Sequence, residues 1–140
     1  MVKVSQQLGQ WAEQRAIDYL AQFQYQLFCQ NFHSRFGEID SIFVHEQELI
    51  FVEVKARQPS HYAQAKEVIS KSKQRKLMLT ALVFLEQYPQ FASHFARFDV
   101  ICIDFLQQIA KIPQQPFAQI PYHLEWIENA FTFDTELITL

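Results

Sequence analysis

The chain has 140 residues, 49% hydrophobic and 19% charged, with two glycines and five prolines, a profile that excludes a disordered or low-complexity polypeptide. That length suits a single domain, 1–140, burying about two-thirds of the surface its unfolded chain would expose. A net charge of −3 and a pI of about 5.9 argue against a uniformly basic nucleic-acid binder. The average hides an asymmetry, however, because residues 55–76 carry seven basic side chains against Glu67 alone.

The opening residues, MVKVSQQLGQWAEQ, lack the apolar run of a signal peptide, and no stretch approaches the roughly 18 apolar residues of a membrane helix. The expectation is a cytoplasmic protein without membrane contact. Ser5 can cap a helix running to about Phe23, in which Leu8, Trp11, Ala12, Ala16, Tyr19, Leu20 and Phe23 recur at three- and four-residue steps. Glu13 lies beside that stripe, about one turn after Gly9. Tyr25–Phe32 predicts a first strand, and Cys29 within it, like Cys102 later, stands in apolar surroundings with no CxxC or His pair. Two buried thiols are expected, without a disulfide or zinc framework.

Residues 37–57, GEIDSIFVHEQELIFVEVKAR, predict a hairpin with strands near 38–44 and 49–56. A turn symmetric about Glu46 and Gln47 sets Val44 opposite Leu49, Ile42 opposite Phe51 and Asp40 opposite Glu53. One further step puts Glu38 opposite Lys55. Directly opposed residues share a face about 5 Å apart at Cβ, and Lys55 shares the face of Glu53 by the period of two. An odd loop or a bulge would shift that register.

Two carboxylates converging on one point repel unless a proton or cation lies between them. A Mg²⁺-like ion suits such oxygens, with the Val54 carbonyl as a further donor. Lys55 would then orient or deprotonate a water or stabilise charge on a phosphate, as in metal-assisted phosphodiester hydrolysis. The plainer alternative is that Lys55 forms a cross-strand ion pair with Glu38 or Glu53. Both stand at this point, although strands apolar on both faces disfavour purely structural charges.

A polar loop, RQPSHYAQ, leads to a helix from about Ala65 to Gln87, basic in its first half and apolar in its second. Arg57, Lys66, Lys71, Lys73, Arg75 and Lys76 are the candidate contacts to a nucleic-acid backbone; a solvated helix face and a loop-surface arginine are the alternatives. A fourth strand near 97–105 follows. Strand, long helix, strand predicts a crossover that sets strands three and four parallel. The order is thus αβββαβ, an α/β fold with a mixed sheet flanked by helices, its core at about 5–105 and a C-terminal extension at about 106–140. In that extension YHLEWIENAF is either a short helix or a strand. Arg97 and Asp99 predict a structural ion pair ahead of a polar site. The five histidines share no spacing, and no Walker loop, GxSxG or dinucleotide fingerprint occurs.

Asp40 followed thirteen residues later by Glu53-Val54-Lys55 resembles the D…ExK signature of the PD-(D/E)xK, or restriction-endonuclease-like, superfamily. More closely, the chain is similar to the YraN-like family of small bacterial proteins, described mostly as predicted endonucleases. The likeness spans about residues 8–131. It includes Gly9 to Glu13, Asn31, GEID at 37–40, FVEVKAR at 51–57, AQAKEVISKSKQRKL at 63–77, RFDVI at 97–101 and ENAF at 128–131. Ala12 replaces the usual glycine before the helix glutamate, and Ile39 stands where the superfamily name implies proline.

The resemblance implies Asp40 and Glu53 as metal ligands, Lys55 as the catalytic lysine, and Glu13 at the position where Holliday-junction resolvases of this fold carry an acid. Pairing with a basic neighbour is the alternative for Glu13. It implies a Mg²⁺- or Mn²⁺-dependent nuclease acting on DNA more readily than RNA, including branched DNA. A homodimer and a DNA-processing protein partner belong to the same expectation. A nucleic-acid-binding module of this fold with little or no activity is the second one.

Overall fold

The computed structural model describes residues 3–60, 69–110 and 116–138. In chain order it contains α1 (Val4–Ala21), β1 (Gln26–Ser34), β2 (Gly37–His45), β3 (Glu48–Arg57), α2 (Lys71–Gln87), β4 (Phe95–Phe105), β5 (Tyr122–Phe131) and α3 (Thr135–Ile138). The strands form one sheet in the order β1-β2-β3-β4-β5. β3 and β4 pair in parallel, and every other neighbour is antiparallel. The expected αβββαβ order and mixed sheet are present, compatible with a restriction-endonuclease-like core.

The sheet is apolar on both faces because each face has its own helix to cover it. Leu49 and Phe51 of β3 join Leu77, Met78, Ala81 and Phe84 of α2 in one core. Ile50 and Val52 join Leu8, Ala12, Ala16 and Leu20 of α1 in the other. Alternate residues of one strand thus serve opposite layers, as the pleat requires. Phe84 is fully buried and meets Phe28, Phe32, Phe51, Tyr88 and Phe91 at ring-centroid separations of 4.7–5.8 Å.

Several boundaries differ from the sequence expectation. Helix α1 is capped at Lys3, so Ser5 lies inside it, and Phe23 falls in the turn beyond. Helix α2 begins at Lys71, where the Ser70 hydroxyl accepts the Lys73 N–H at 3.2 Å, and Ile69 and Ser70 ahead of it are not helical; the expected start near Ala65 lies outside the described residues. Lys66, with the rest of 61–68, lies outside the described residues. The segment YHLEWIENAF is a strand, β5, which packs Trp126 and Leu124 against the α1-side core. Cys29 and Cys102 are free thiols; Cys102 is buried and Cys29 only partly so.

The hairpin turn is Glu46-Gln47, with Glu46 left-handed at φ +52°. No described helix is long and apolar enough to cross a membrane. Truncating the central ring by Phe84→Ala is expected to destabilise the fold by about 3–5 kcal/mol, measured by urea denaturation; a loss below about 1 kcal/mol would contradict its central place.

Candidate active site

Strands β2 and β3 pair regularly from His45–Glu48 to Ser41–Val52, and there the pairing ends. Beyond that point β2 stays on β1, with Ile39 opposite Phe32. β3 stays on β4 as far as Arg57 opposite Asp104. The two strands fork, and Asp40 and Glu53 are the first residues past the last pair. Their side chains close the mouth of the fork. The Val54 N–H donates to Asp40 Oδ2 at 3.0 Å, and the Asp40 N–H donates to Glu53 Oε1 at 3.3 Å. Each carboxylate satisfies a backbone donor on the opposite strand.

Strand β2 carries Asp40 on an irregular stretch. Ile39 and Ile42 both bury in the α2-side core, although strict alternation would send them to opposite faces. The irregularity coincides with Asn31, which lies between the Gln30–Ser41 and Phe32–Ile39 pairs, opposite Asp40, at φ +52°. Asparagine tolerates the left-handed region better than most residues. β2 itself starts at Gly37 with φ +154°, a conformation L side chains rarely adopt, tucked against Lys76 and Thr80 of α2.

Glu53 is 4% exposed, and its second oxygen, Oε2, receives the Lys73 ammonium at 3.0 Å. Burial and then repulsion from Asp40 push the Glu53 carboxyl above the usual carboxylate range, with Lys73 opposing in part. Burial lowers the Lys73 amine, but the pull of Glu53 and the neighbouring groups outweighs it and leaves Lys73 raised. Lys55 goes the other way. Burial and the abutting Lys73 amine lower it more than Glu53 and Asp40 raise it. Glu13, on α1, is raised by burial and then by the charges of Asp40, Glu38 and Glu53, so the fold brings all three acids into the field of this helix residue.

Asp40 and Glu53 are the residues that would hold a hard cation, by the chemistry of their oxygens. Both supply carboxylate oxygens at one place, and Glu53 Oε2 already accepts a positive group, the Lys73 ammonium. The Val54 N–H points into the fork; since the N–H and C=O of a strand residue face the same side, its carbonyl is directed there too. Among the described residues no three Asp, Glu, His or Cys side chains gather closely enough to hold an ion. The donor set is therefore two carboxylates and a carbonyl, and water would have to complete a six-coordinate Mg²⁺ or Mn²⁺ shell.

The other sequence candidates are distributed around this centre. Arg57 forms a two-pronged pair with Asp104, Nε–Oδ1 at 2.6 Å and Nη2–Oδ2 at 2.7 Å. Lys71 and Lys76 are exposed and Arg75 is half-buried on α2. Glu38 is exposed and 3.7 Å from His33; because the strands have parted, it does not sit opposite Lys55. Lys55 instead borders a cleft of about 500 Å³ between the freed end of β3 and the first turns of α1. Gly9 lines that cleft, and an added Cβ there would meet no described atom within 4 Å.

Lys73 is the site residue whose position sequence reasoning missed. The signal was its phase: residues 73, 77, 80 and 84 share one helical face, and Leu77, Thr80 and Phe84 are buried on the sheet. The Arg97–Asp99 pair is structural and serves the opposite face. Asp99, 1% exposed, accepts from Arg97 Nε at 3.0 Å, the Trp126 indole at 2.9 Å and the Asn129 N–H at 2.9 Å.

Glu53 holds its proton to higher pH in the folded chain than in the unfolded one. Folding therefore takes up a proton between those two values, and stability falls as pH rises through that window. In the metal-free protein, Glu53→Gln is expected to flatten this part of the stability–pH curve, measured by urea titrations. Asp40→Asn should return the Glu53 carboxyl toward the usual range in a ¹³C NMR titration. An unmoved Glu53 titration would show that the two carboxylates do not share a field.

Residues 12–103 match the family model described as "Uncharacterised protein family UPF0102". A UPF0102 protein of Acinetobacter baumannii (strain AYE) is 53% identical over 131 residues, covering 94% of this chain and 98% of its own length. A UPF0102 protein of Psychromonas ingrahamii is 39% identical over 131 residues, 94% of each chain. One of Francisella tularensis subsp. novicida is 32% identical over 126 residues, covering 89% of this chain and 94% of its own. The matched span runs from the residue before Glu13 to the strand beyond Lys55, and the chain belongs to the UPF0102 family.

Proposed function

We propose that the chain is a Mg²⁺- or Mn²⁺-dependent nuclease of the PD-(D/E)xK type that hydrolyses DNA phosphodiester bonds, branched DNA included. The observation that carries this reading is the fork, where Asp40 and Glu53 hold their carboxylates together with Lys55 one pleat beyond. A structural hairpin would continue its ladder, and two acids would be separated or paired with separate cations. Bound at these oxygens, a divalent cation would polarise water and neutralise phosphate charge.

The chain's own residues account for the remaining work. Lys55, shifted toward its neutral amine above all by burial, accepts a proton from the attacking water as the water oxygen bonds to phosphorus; one ester P–O bond breaks, and the departing oxygen takes a proton from solvent. Glu13 adds negative potential at the α1 side of the same place. The exposed Lys71 and Lys76 and the half-buried Arg75 offer the DNA backbone positive charge on an otherwise acidic body. The reading places the protein in the cytoplasm with its DNA, working as a homodimer or with a DNA-processing partner.

A nucleic-acid-binding module without cleavage is the second reading. It is favoured by the Lys73 ion pair, which neutralises Glu53 with no metal, and by the two-carboxylate donor set. Incubation with branched, nicked and single-stranded DNA in Mn²⁺, Mg²⁺ or EDTA separates the two. Metal-dependent cleavage is expected, lowered by about 10² or more in Asp40→Ala and Lys55→Ala. Binding that survives both substitutions, with no substrate cut by the wild type, favours the module and overturns the nuclease.

A further inference from the structure

We propose that Lys73 is a tethered counter-ion for Glu53, which a divalent cation displaces from the fork into the neighbouring cleft on α2. The proposal rests on the metal-binding reading of Asp40 and Glu53 and extends it to a residue on a different element.

Geometry supplies the first half. Lys73 Nζ lies 3.0 Å from Glu53 Oε2, while Glu53 Oε1 is taken by the Asp40 N–H. Both oxygens of the buried carboxylate are therefore engaged, and the second is held by a full positive charge. A metal ligated by Glu53 at Oε2 and the Lys73 ammonium would compete for the same lone pairs. Two cations at one carboxylate oxygen repel strongly where water is scarce, so one of them has to leave.

The second half is that Lys73 has somewhere to go. Its side chain is 41% exposed, against 6% for Glu53, so the outer end of the pair is the mobile one. Lys73 and Lys76 line a cleft of about 260 Å³ with Gly37, Glu38, Ser70 and Ser72. A lysine stem has four rotatable bonds and swings without moving its helix. Once displaced, the Lys73 ammonium stands with Lys76 on the solvent side of the fork, where a nucleic-acid phosphate would find two positive charges.

The device gives the fork a cation in either state. Without metal, Lys73 prevents an uncompensated Glu53–Asp40 repulsion from opening the fork. With metal, the same charge is released for substrate. Binding of cation and binding of phosphate are thereby linked through one side chain.

The test is isothermal titration of Mn²⁺ alone into the wild type, Lys73→Met and Lys76→Met, alongside thermal melts. Lys73→Met is expected to bind Mn²⁺ about three- to tenfold more tightly than wild type, the scale of a partly exposed ion pair, and to melt lower than wild type without metal. Lys76→Met leaves the Lys73–Glu53 contact in place and removes only a like charge from the receiving cleft, so it should tighten Mn²⁺ binding less than Lys73→Met does; an equal gain from both variants overturns the counter-ion role. Equal affinity in wild type and Lys73→Met overturns the counter-ion role while leaving the metal site standing. No Mn²⁺ binding by either protein overturns the metal reading and this proposal together. A second measurement needs no variant: in wild type with ¹³C-methylated lysines, the Lys73 signal should move as Mg²⁺ saturates. A Lys73 signal that stays fixed through saturation also overturns the proposal.

Discussion

Two carboxylates that exchange backbone partners across a parting strand pair set the terms for the rest of the molecule. Asp40 takes the Val54 N–H, and Glu53 takes the Asp40 N–H. This arrangement requires β2 and β3 to be paired on one side of Ser41–Val52 and free on the other. Each strand then needs another neighbour to hold it. β1 supplies one through the Asn31 irregularity, and β4 supplies the other through ten consecutive parallel partners from Glu48–Phe95 to Arg57–Asp104. Buried charge of one sign also requires compensation, which α2 delivers as Lys73.

The sheet keeps this arrangement apart from its other polar network. Glu53 and Lys73 lie on the α2 side, with Arg57 and Asp104 further along it. Arg97, Asp99 and Trp126 lie on the α1 side, joined by Tyr25, Glu48 and Glu128. Apolar residues such as Ile101 and Val100 alternate between them. The second network is fully satisfied and locks β5 to β4 around a bulge at Asp99. The first keeps two like charges side by side, held by backbone donors and the Lys73 ammonium.

Much of this was legible in the sequence because its signals are local. Period two in GEIDSIFVHEQELIFVEVK fixed the hairpin, and the two-residue turn made the register countable, so Ile42–Phe51 and Val44–Leu49 are as expected. What the pattern does not contain is the end of the ladder. A count of opposed residues assumes that pairing continues, and so it set Glu38 against Lys55, which the fork separates. Lys73 was hidden for a related reason. Its charge groups it with the basic band, whereas its helical phase turns it to the sheet, and burial of the stem outweighs the tendency of a lysine to face water. YHLEWIENAF was ambiguous because Trp126 and Ile127 are adjacent apolar residues, and the strand packs them on opposite sides, Trp126 toward the α1-side core and Ile127 toward the α2-side one.

The parallel pairing of β3 with β4 bears on the order in which the molecule is made. The β2–β3 hairpin is closed by two residues and forms from local sequence within microseconds. Its partner β4 begins only at Phe95, after the whole of α2, so the crossover closes a long loop and is slow by comparison. During synthesis the hairpin emerges ahead of α2, with Asp40 and Glu53 present and Lys73 not yet docked. The fork therefore has no internal cation at that stage. The fork takes its form only when α2 has docked and β4 has paired with β3, so a chain truncated before Phe95 would carry Asp40, Glu53, Lys55 and Lys73 without the strand that holds β3 in place.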